Sequence, residues 1–291
     1  MITIWDGRNR AGLHYDGEEN ICVRMALQNL GKDLIRVGAP KIRFEDFLPS
    51  DPGGKLLVGT LKNKRFAEYL ENAGIRLPEL EEKWEHYTIR TIGAEGDTLL
   101  IAGSDDCGTM WGIYTFSEFF LGIDPLYLWT DQEPEPIERL VLENVHITDG
   151  PQHFRFRGWF VNDEDLLQGF AKGGELSPGY DFHGDYAHVL EMLVETGLRL
   201  KQNLMIPCSH LNIFHPEEEE LVRIVTERGM YISMHHQEPV GVHQFTMDRY
   251  WKERGIADIN YFQYQEEYEQ LWRQYVRRWS RYPKVIWQLG L

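Results

Sequence analysis

The stretch PEEEELVRIVTERGMYISMHHQEP, residues 216–239, sets a helix, a strand and a polar strand end in a row. PEEEELVRIVTERG (216–229) reads as a helix with acids in its first turn, as the helix dipole prefers. The run Glu217–Glu220 itself reads as a solvated helix start. MYISM (230–234) reads as a strand, and HHQEP then puts two histidines and a glutamate at that strand's carboxyl end. A helix feeding a strand that ends in polar residues is the repeating unit of a parallel α/β sheet.

The same grammar extends in both directions. Upstream, FRFRGWFVND (154–163) is a strand and YAHVLEMLVETGLRL (186–200) a helix striped by Val189, Leu190, Leu193, Val194 and Leu198. NLMIP (203–207) is the next strand. Downstream, 261–282 reads as a helix with Tyr264, Tyr268, Leu271, Tyr275 and Trp279 on one side, and VIWQL (285–289) as a strand. Strand–helix alternation four times over predicts parallel strands with right-handed crossovers. The segments after the first three strands (162–185, 208–220 and 235–260) are long and polar, and each carries His or acid residues. Active sites of α/β barrels sit at that end of the strands. Four such units are half of an eight-stranded barrel; the bland alternative is a small doubly wound sheet, and the long loops favour the barrel.

The first half of the chain is also α/β. Residues 21–37 carry a helical stripe of Cys22, Ala26, Leu30, Leu34 and Val37, KLLVGTL (55–61) reads as a buried strand, and RFAEYLENAGI (65–75) as a helix ending on Gly74. HYTIRTIG (86–93) and TLLIAG (98–103) read as a hairpin, and 108–123 as a buried helix with apolar residues nearly all round. DQEPEPIERL (131–140) marks a boundary, followed by one strand, LVLENVHIT (140–148). The expected fold class is therefore α/β, with an N-terminal α/β domain over 1–148 and four βα units over 149–291.

Bulk composition narrows the function. At 291 residues, 42% hydrophobic and 26% charged, the chain can bury a real core. A formal charge of −16 argues against a nucleic-acid partner, and an anionic ligand would need a local pocket working against that field. Aromatic content is 13%, with nine Trp, which suits either stacking on sugar rings or ordinary core filling. Cys22, Cys107 and Cys208 are odd in number and far apart, so neither a disulfide framework nor a metal knuckle follows from them. No segment approaches the ~18 apolar residues of a membrane span. The start at Met1 lacks a signal peptide's basic and apolar regions, so the expected location is cytoplasmic.

Two strand ends carry the candidate chemistry. Asn162, Asp163, Glu164 and Asp165 close the first barrel-like strand, where they could hold sugar hydroxyls, work as general acid or base, or simply decorate an acidic strand end. Which phase of that strand faces inward stays open, since Phe154, Phe156 and Phe160 favour one and Trp159 and Val161 the other. If the third strand persists through HHQE, His235 and His236 face apart, while His236 and Glu238 share a face. One His and one carboxylate fall short of a catalytic zinc set unless Asp163 or His210 converges, so hydrogen bonding to a polar ligand is preferred over a metal. GSDDCGTMWG (103–112) lacks the phosphate-loop Lys and reads as a tight turn into the buried helix.

FRGWFVNDED, RLKQNLMIP, MHHQEP with DRYWKERG, and VIWQLGL resemble, in order and spacing, the barrel start of glycoside hydrolase family 115, the xylan α-1,2-glucuronidases. GSDDCGTMWGIYTFSEFFLGIDPLYLWTD resembles the segment that precedes that family's barrel. The resemblance implies an N-terminal α/β domain and the first four βα units of a TIM-type (β/α)8 barrel, apparently truncated, with no metal or organic cofactor. It implies inverting hydrolysis of (4-O-methyl)glucuronic acid branches on xylan or xylooligosaccharide. Asp163 and Glu164 would be catalytic, with Asn162, His210, His235, His236 and Glu238 binding substrate. The chain departs from the family where Ile206 and His210 replace two Trp positions and Cys107 replaces an Arg. The family's main carboxylate candidates would lie beyond Leu291. A homodimer or a second chain completing the barrel is then expected. The alternatives are a non-catalytic carbohydrate-binding protein of the same descent, or a metal-dependent hydrolase using Asp163, His236 and Glu238.

Overall fold

The computed structural model describes residues 1–50, 54–93, 96–162, 167, 185–257 and 260–290. They form two compact units, Met1–Arg155 with Leu198–Lys201, and Phe156–Gly197 with Gln202–Leu291.

The first unit is built on a six-stranded mixed sheet. Its order is β3 (Phe44–Glu45), β2 (Leu13–His14), β4 (Leu56–Thr60), β6 (Thr98–Gly103), β5 (Tyr87–Ile92) and β8 (His146–Asp149). The first four strands run parallel, and β5 is antiparallel to both β6 and β8. Strands β4 and β6 are buried along their whole length, which is why they read as continuous apolar runs. Alternation sends Leu57, Leu100 and Ala102 into a cluster with Phe66 and Leu70 of helix α2 (Lys64–Asn72). Ile101, on the opposite face, meets Gly112 of helix α3 (Asp106–Leu121), which packs beside helix α1 (Ile21–Arg36). Helices thus cover both faces. The GSDDCG turn is a helix cap: the Asp105 side chain accepts from the Gly108 N–H at 2.9 Å. Gly108 is required by proximity, because a Cβ there would lie 2.1 Å from the His86 carbonyl oxygen.

LVLENVHIT is two strands, not one. Leu140–Leu142 (β7) pairs antiparallel with β1 (Ile2–Trp5), whereas β8 joins the six-stranded sheet. The break falls at Asn144, whose φ of 49° is a left-handed conformation that Asn tolerates better than most residues.

The second unit holds four parallel strands in chain order: β9 (Gly158–Phe160), β10 (Leu204–Ile206), β11 (Tyr231–Ser233) and β12 (Val285–Ile286). Between them run helices α4 (Asp185–Arg199), α5 (Pro216–Glu227), α6 (Gln244–Glu253) and α7 (Gln265–Trp279). One register row, Trp159–Met205–Ile232–Val285, contains the fully buried Met205 and Ile232. The phase of the first strand is thereby decided. Val161 is buried, whereas Phe154, Phe156 and Phe160 are exposed. Gly158 admits no side chain, since a Cβ would sit 1.8 Å from the Leu204 carbonyl oxygen on the adjacent strand.

Two expectations for this unit change. The segment 235–260 is not all loop, because it contains helix α6, capped by the His243 ring. The acidic run at the head of α5 is not merely solvated. Glu218 accepts from the Asn212 N–H at 2.5 Å, and Glu219 binds Arg278 and, at 2.7 Å, the Tyr282 hydroxyl, tying α5 to α7 and the segment after it. No helix among the described residues is long and apolar enough to cross a membrane.

Candidate active site

In the second unit, His210 follows β10, and His235, His236 and Glu238 follow β11. Asn162 is exposed two residues past β9, while Asp163 and Glu164 lie outside the described residues. His210 follows β10, with Cys208 donating its S–H to the His210 carbonyl at 3.0 Å. Tyr186 of α4 donates its hydroxyl to the Pro207 carbonyl and anchors the same segment.

Strand β11 stops at Ser233, so alternation does not carry through HHQE. The chain turns instead, with the Glu238 N–H donating to the His235 carbonyl at 2.9 Å. Adjacent histidines therefore do not face apart. Their rings lie with centroids 3.8 Å apart and planes at 40°. His235 is buried and also meets the exposed Phe160 ring at 5.2 Å, while His236 is exposed.

Glu238 is buried beneath this turn. One carboxylate oxygen accepts from the His235 N–H at 3.0 Å and the other from the Leu211 N–H at 2.7 Å. It clips the loop after β11 to the loop after β10, and so couples the backbones that carry His210 and His235.

The sequence reading missed His243. Its ring is buried, lies 5.0 Å from His210 and 4.8 Å from Phe245, and accepts the Phe245 N–H at Nδ1 over 3.1 Å. Burial first, then the neighbouring His210 and His235, lower its pKa to about 4. His235 likewise takes the Gln237 N–H at Nδ1, 3.2 Å away. A ring nitrogen that accepts carries no proton, so each ring holds its proton on Nε2. Phe245 is 55% exposed and also lies 5.8 Å from His210, offering a ring face beside the imidazoles. The only foreshadowing of His243 was its place in a long polar loop; histidine is not a preferred helix N-cap, so helix α6 and its capping ring left no clear mark. Among the described residues no three His, Cys, Asp or Glu side chains gather closely enough to hold a metal ion.

An edge of parallel strands bearing oriented imidazole donors, exposed aromatic rings and a buried carboxylate brace can bind a ligand rich in oxygen acceptors. Comparison with known proteins decides the lineage. The family model for glycosyl hydrolase family 115 matches residues 149–291. This domain belongs to glycosyl hydrolase family 115. The whole chain is also similar to the solved structure of BtGH115A, a family GH115 4-O-methyl-α-glucuronidase with specificity for decorated arabinogalactans. The match has a TM-score of 0.77 at 25% identity and covers 99% of this chain. It covers only 36% of that enzyme, so this chain, with its family 115 domain, spans about a third of its relative's length. A weaker likeness, with a TM-score of 0.49 and 13% identity, is to a GH138 enzyme targeting pectin rhamnogalacturonan II; it covers 94% of this chain and 29% of that one. No curated protein sequence matches.

Proposed function

We propose that the chain supplies the glucuronate-binding edge of a family 115 α-glucuronidase site, acting on (4-O-methyl)glucuronic acid branches of a plant polysaccharide. The observation that carries this reading is the pair of histidines, His235 and His243, whose Nδ1 atoms are occupied by backbone N–H groups. The Nε2–H of His243 is a donor suited to hydroxyl and carboxylate oxygens. Four parallel strands in chain order, separated by helices, support reading 149–291 as the first half of a (β/α)8 barrel and 1–148 as a separate α/β domain.

Inverting hydrolysis needs one protonated carboxyl for the leaving oxygen and one carboxylate to activate water, roughly 6.5–9.5 Å apart. Asp163 and Glu164, just past the end of β9, are this chain's candidates for one of those roles. Asn162, His210, His235 and His236 would hold the sugar, and Glu238 would act through the loops it clips. The relative's specificity makes arabinogalactan a candidate backbone alongside xylan.

Calorimetry with a glucuronate-branched xylooligosaccharide and a glucuronate-branched arabinogalactan fragment, run beside a glucuronate-release assay, tests the proposal. Binding of either that weakens in His236→Ala is expected. Release that falls in Asp163→Asn or Glu164→Gln assigns catalysis to this chain, while binding without release makes it a carbohydrate-binding relative. Absence of binding to both ligands overturns the proposal.

A further inference from the structure

The turn that carries His235 and His236 runs on into Pro239–Gly241, and the middle residue of that stretch is strained. Val240 sits at φ 49° and ψ 29°, the left-handed region, where a β-branched side chain is a genuine outlier. Backbone of that kind persists only where surrounding contacts over-determine it. Here they come largely from the segment that follows β12. The Val240 N–H donates to the Gln288 carbonyl at 2.7 Å. Gly290, itself at φ 91°, lies so close to Pro239 that a Cβ on it would be 3.2 Å from the proline Cβ. On the other side of Val240, Gly241 leaves no room for a side chain, since a Cβ there would lie 2.2 Å from the Trp279 indole nitrogen.

Packing does not hold the turn from behind. A cavity of about 220 Å³ lies against it, lined by Gln237, Pro239 and Val242 on the side of the turn and by Met247 and Trp251 of α6. Unfilled space supplies no contacts, so the turn's direction depends on its backbone bonds. Those bonds are to Glu238 at one end and to Gln288 at the other. An unstrained valine would take extended backbone, and that change at residue 240 would redirect the chain that leads back to Gln237 and His236.

We propose that Gln288–Gly290 is a strap for the histidine turn and that Val240 is a positioning residue for the ligand. The strap imposes the left-handed conformation, and that conformation fixes the direction of His236. The inference rests on the reading of this edge as glucuronate-binding, yet the turn's geometry can be followed without a ligand.

Three variants of the full chain, Val240→Gly, Val240→Asn and Gly290→Ala, test it. Glycine ordinarily lowers stability, but at a left-handed position it relieves strain. Val240→Gly should therefore raise the urea midpoint. It should also weaken binding of the glucuronate-branched oligosaccharides about threefold, because a freed turn must be ordered on binding. Asparagine tolerates the left-handed region without glycine's breadth, so Val240→Asn should raise the midpoint and keep the parent affinity. Gly290→Ala pushes on Pro239 from the strap and should weaken binding. Its effect combined with that of Val240→Gly should be smaller than the product of the two, since both act through one contact. Gly290 is half-exposed, so this variant serves if those at 240 fail to fold. The His235 and His236 imidazole resonances, from rings 3.8 Å apart, report the turn directly. They should move in Val240→Gly and Gly290→Ala and stay in Val240→Asn. A lowered midpoint in Val240→Gly overturns the strain, and unmoved imidazole resonances in both glycine-site and strap variants overturn the strap. Parent binding that neither variant alters keeps the glucuronate reading and removes the role of Val240. Resonances that move as expected in a chain that binds neither oligosaccharide keep the strap and remove the glucuronate reading.

Discussion

Glu238 and His243 do their work through the backbone before any ligand arrives. Glu238 satisfies the N–H groups of His235 and Leu211, both on the loops that carry imidazoles. Glu238→Ala removes two hydrogen bonds from a buried position and leaves both N–H groups without that acceptor. The expected loss is on the order of 3 kcal/mol, with Glu238→Gln losing less because its amide oxygen still accepts one bond. Urea unfolding monitored by Trp fluorescence checks both, and equal losses for Ala and Gln would argue against the clip. His243 adds a pH dependence. Its folded pKa of about 4 lies below the ordinary histidine value, so the unfolded chain binds the extra proton first as pH falls. Its neutral-state stability is complete above pH ~6.5 and is lost progressively down to about pH 4, by on the order of 2–3 kcal/mol. His243→Asn keeps a side-chain cap for α6 and should flatten that part of the curve. Unfolding midpoints at pH 5, 6 and 7.5 read the difference, and parallel curves for variant and parent would contradict it.

The elements show where hydrophobic pattern sufficed and where it did not. The helices at 21–36, 185–199 and 216–227 were legible because a 3.6-residue stripe is carried by side chains alone. Strands β4 and β6 were legible as unbroken apolar runs buried on both faces. Ends were less so. Strand β11 yields to a turn at His235 because two backbone bonds to Glu238 and one to the His235 ring outcompete further ladder pairing, and nothing in HHQE announces those bonds. The candidate residues themselves were readable, since His and acid residues at strand ends stand out; the tilted ring contact of His235 with His236 was not, because it follows from that turn. At the level of pairing, β9 and β10 approach so closely that only glycine fits at 158. Gly158→Ala would ordinarily favour a strand, yet here the Cβ must displace the Leu204 carbonyl. A destabilisation of about 3 kcal/mol or more is expected, read as an earlier urea midpoint and faster amide exchange at Leu204–Ile206. Unchanged exchange in β10 would mean that the two strands can separate without cost.

The whole molecule carries a formal charge of −16, and the proposed ligand is an anion. The imidazole edge does not offset that field strongly, since His243 stays neutral until well below neutral pH. Approach of a uronate is therefore opposed at long range and rewarded only by hydrogen bonds at short range. Salt screens the first effect far more than the second, because the Debye length shrinks from about 30 Å at 0.01 M to about 8 Å at 0.15 M. Binding of a glucuronate-branched oligosaccharide should accordingly tighten by roughly two- to threefold over that range, opposite to the usual weakening of an ion-pair-driven complex. Calorimetric titrations at the two salt concentrations and pH 7 make the comparison. Uronate binding that weakens with salt would mean that a cationic group, not neutral imidazole donors, holds the carboxylate, and would send the search to arginine and lysine side chains instead.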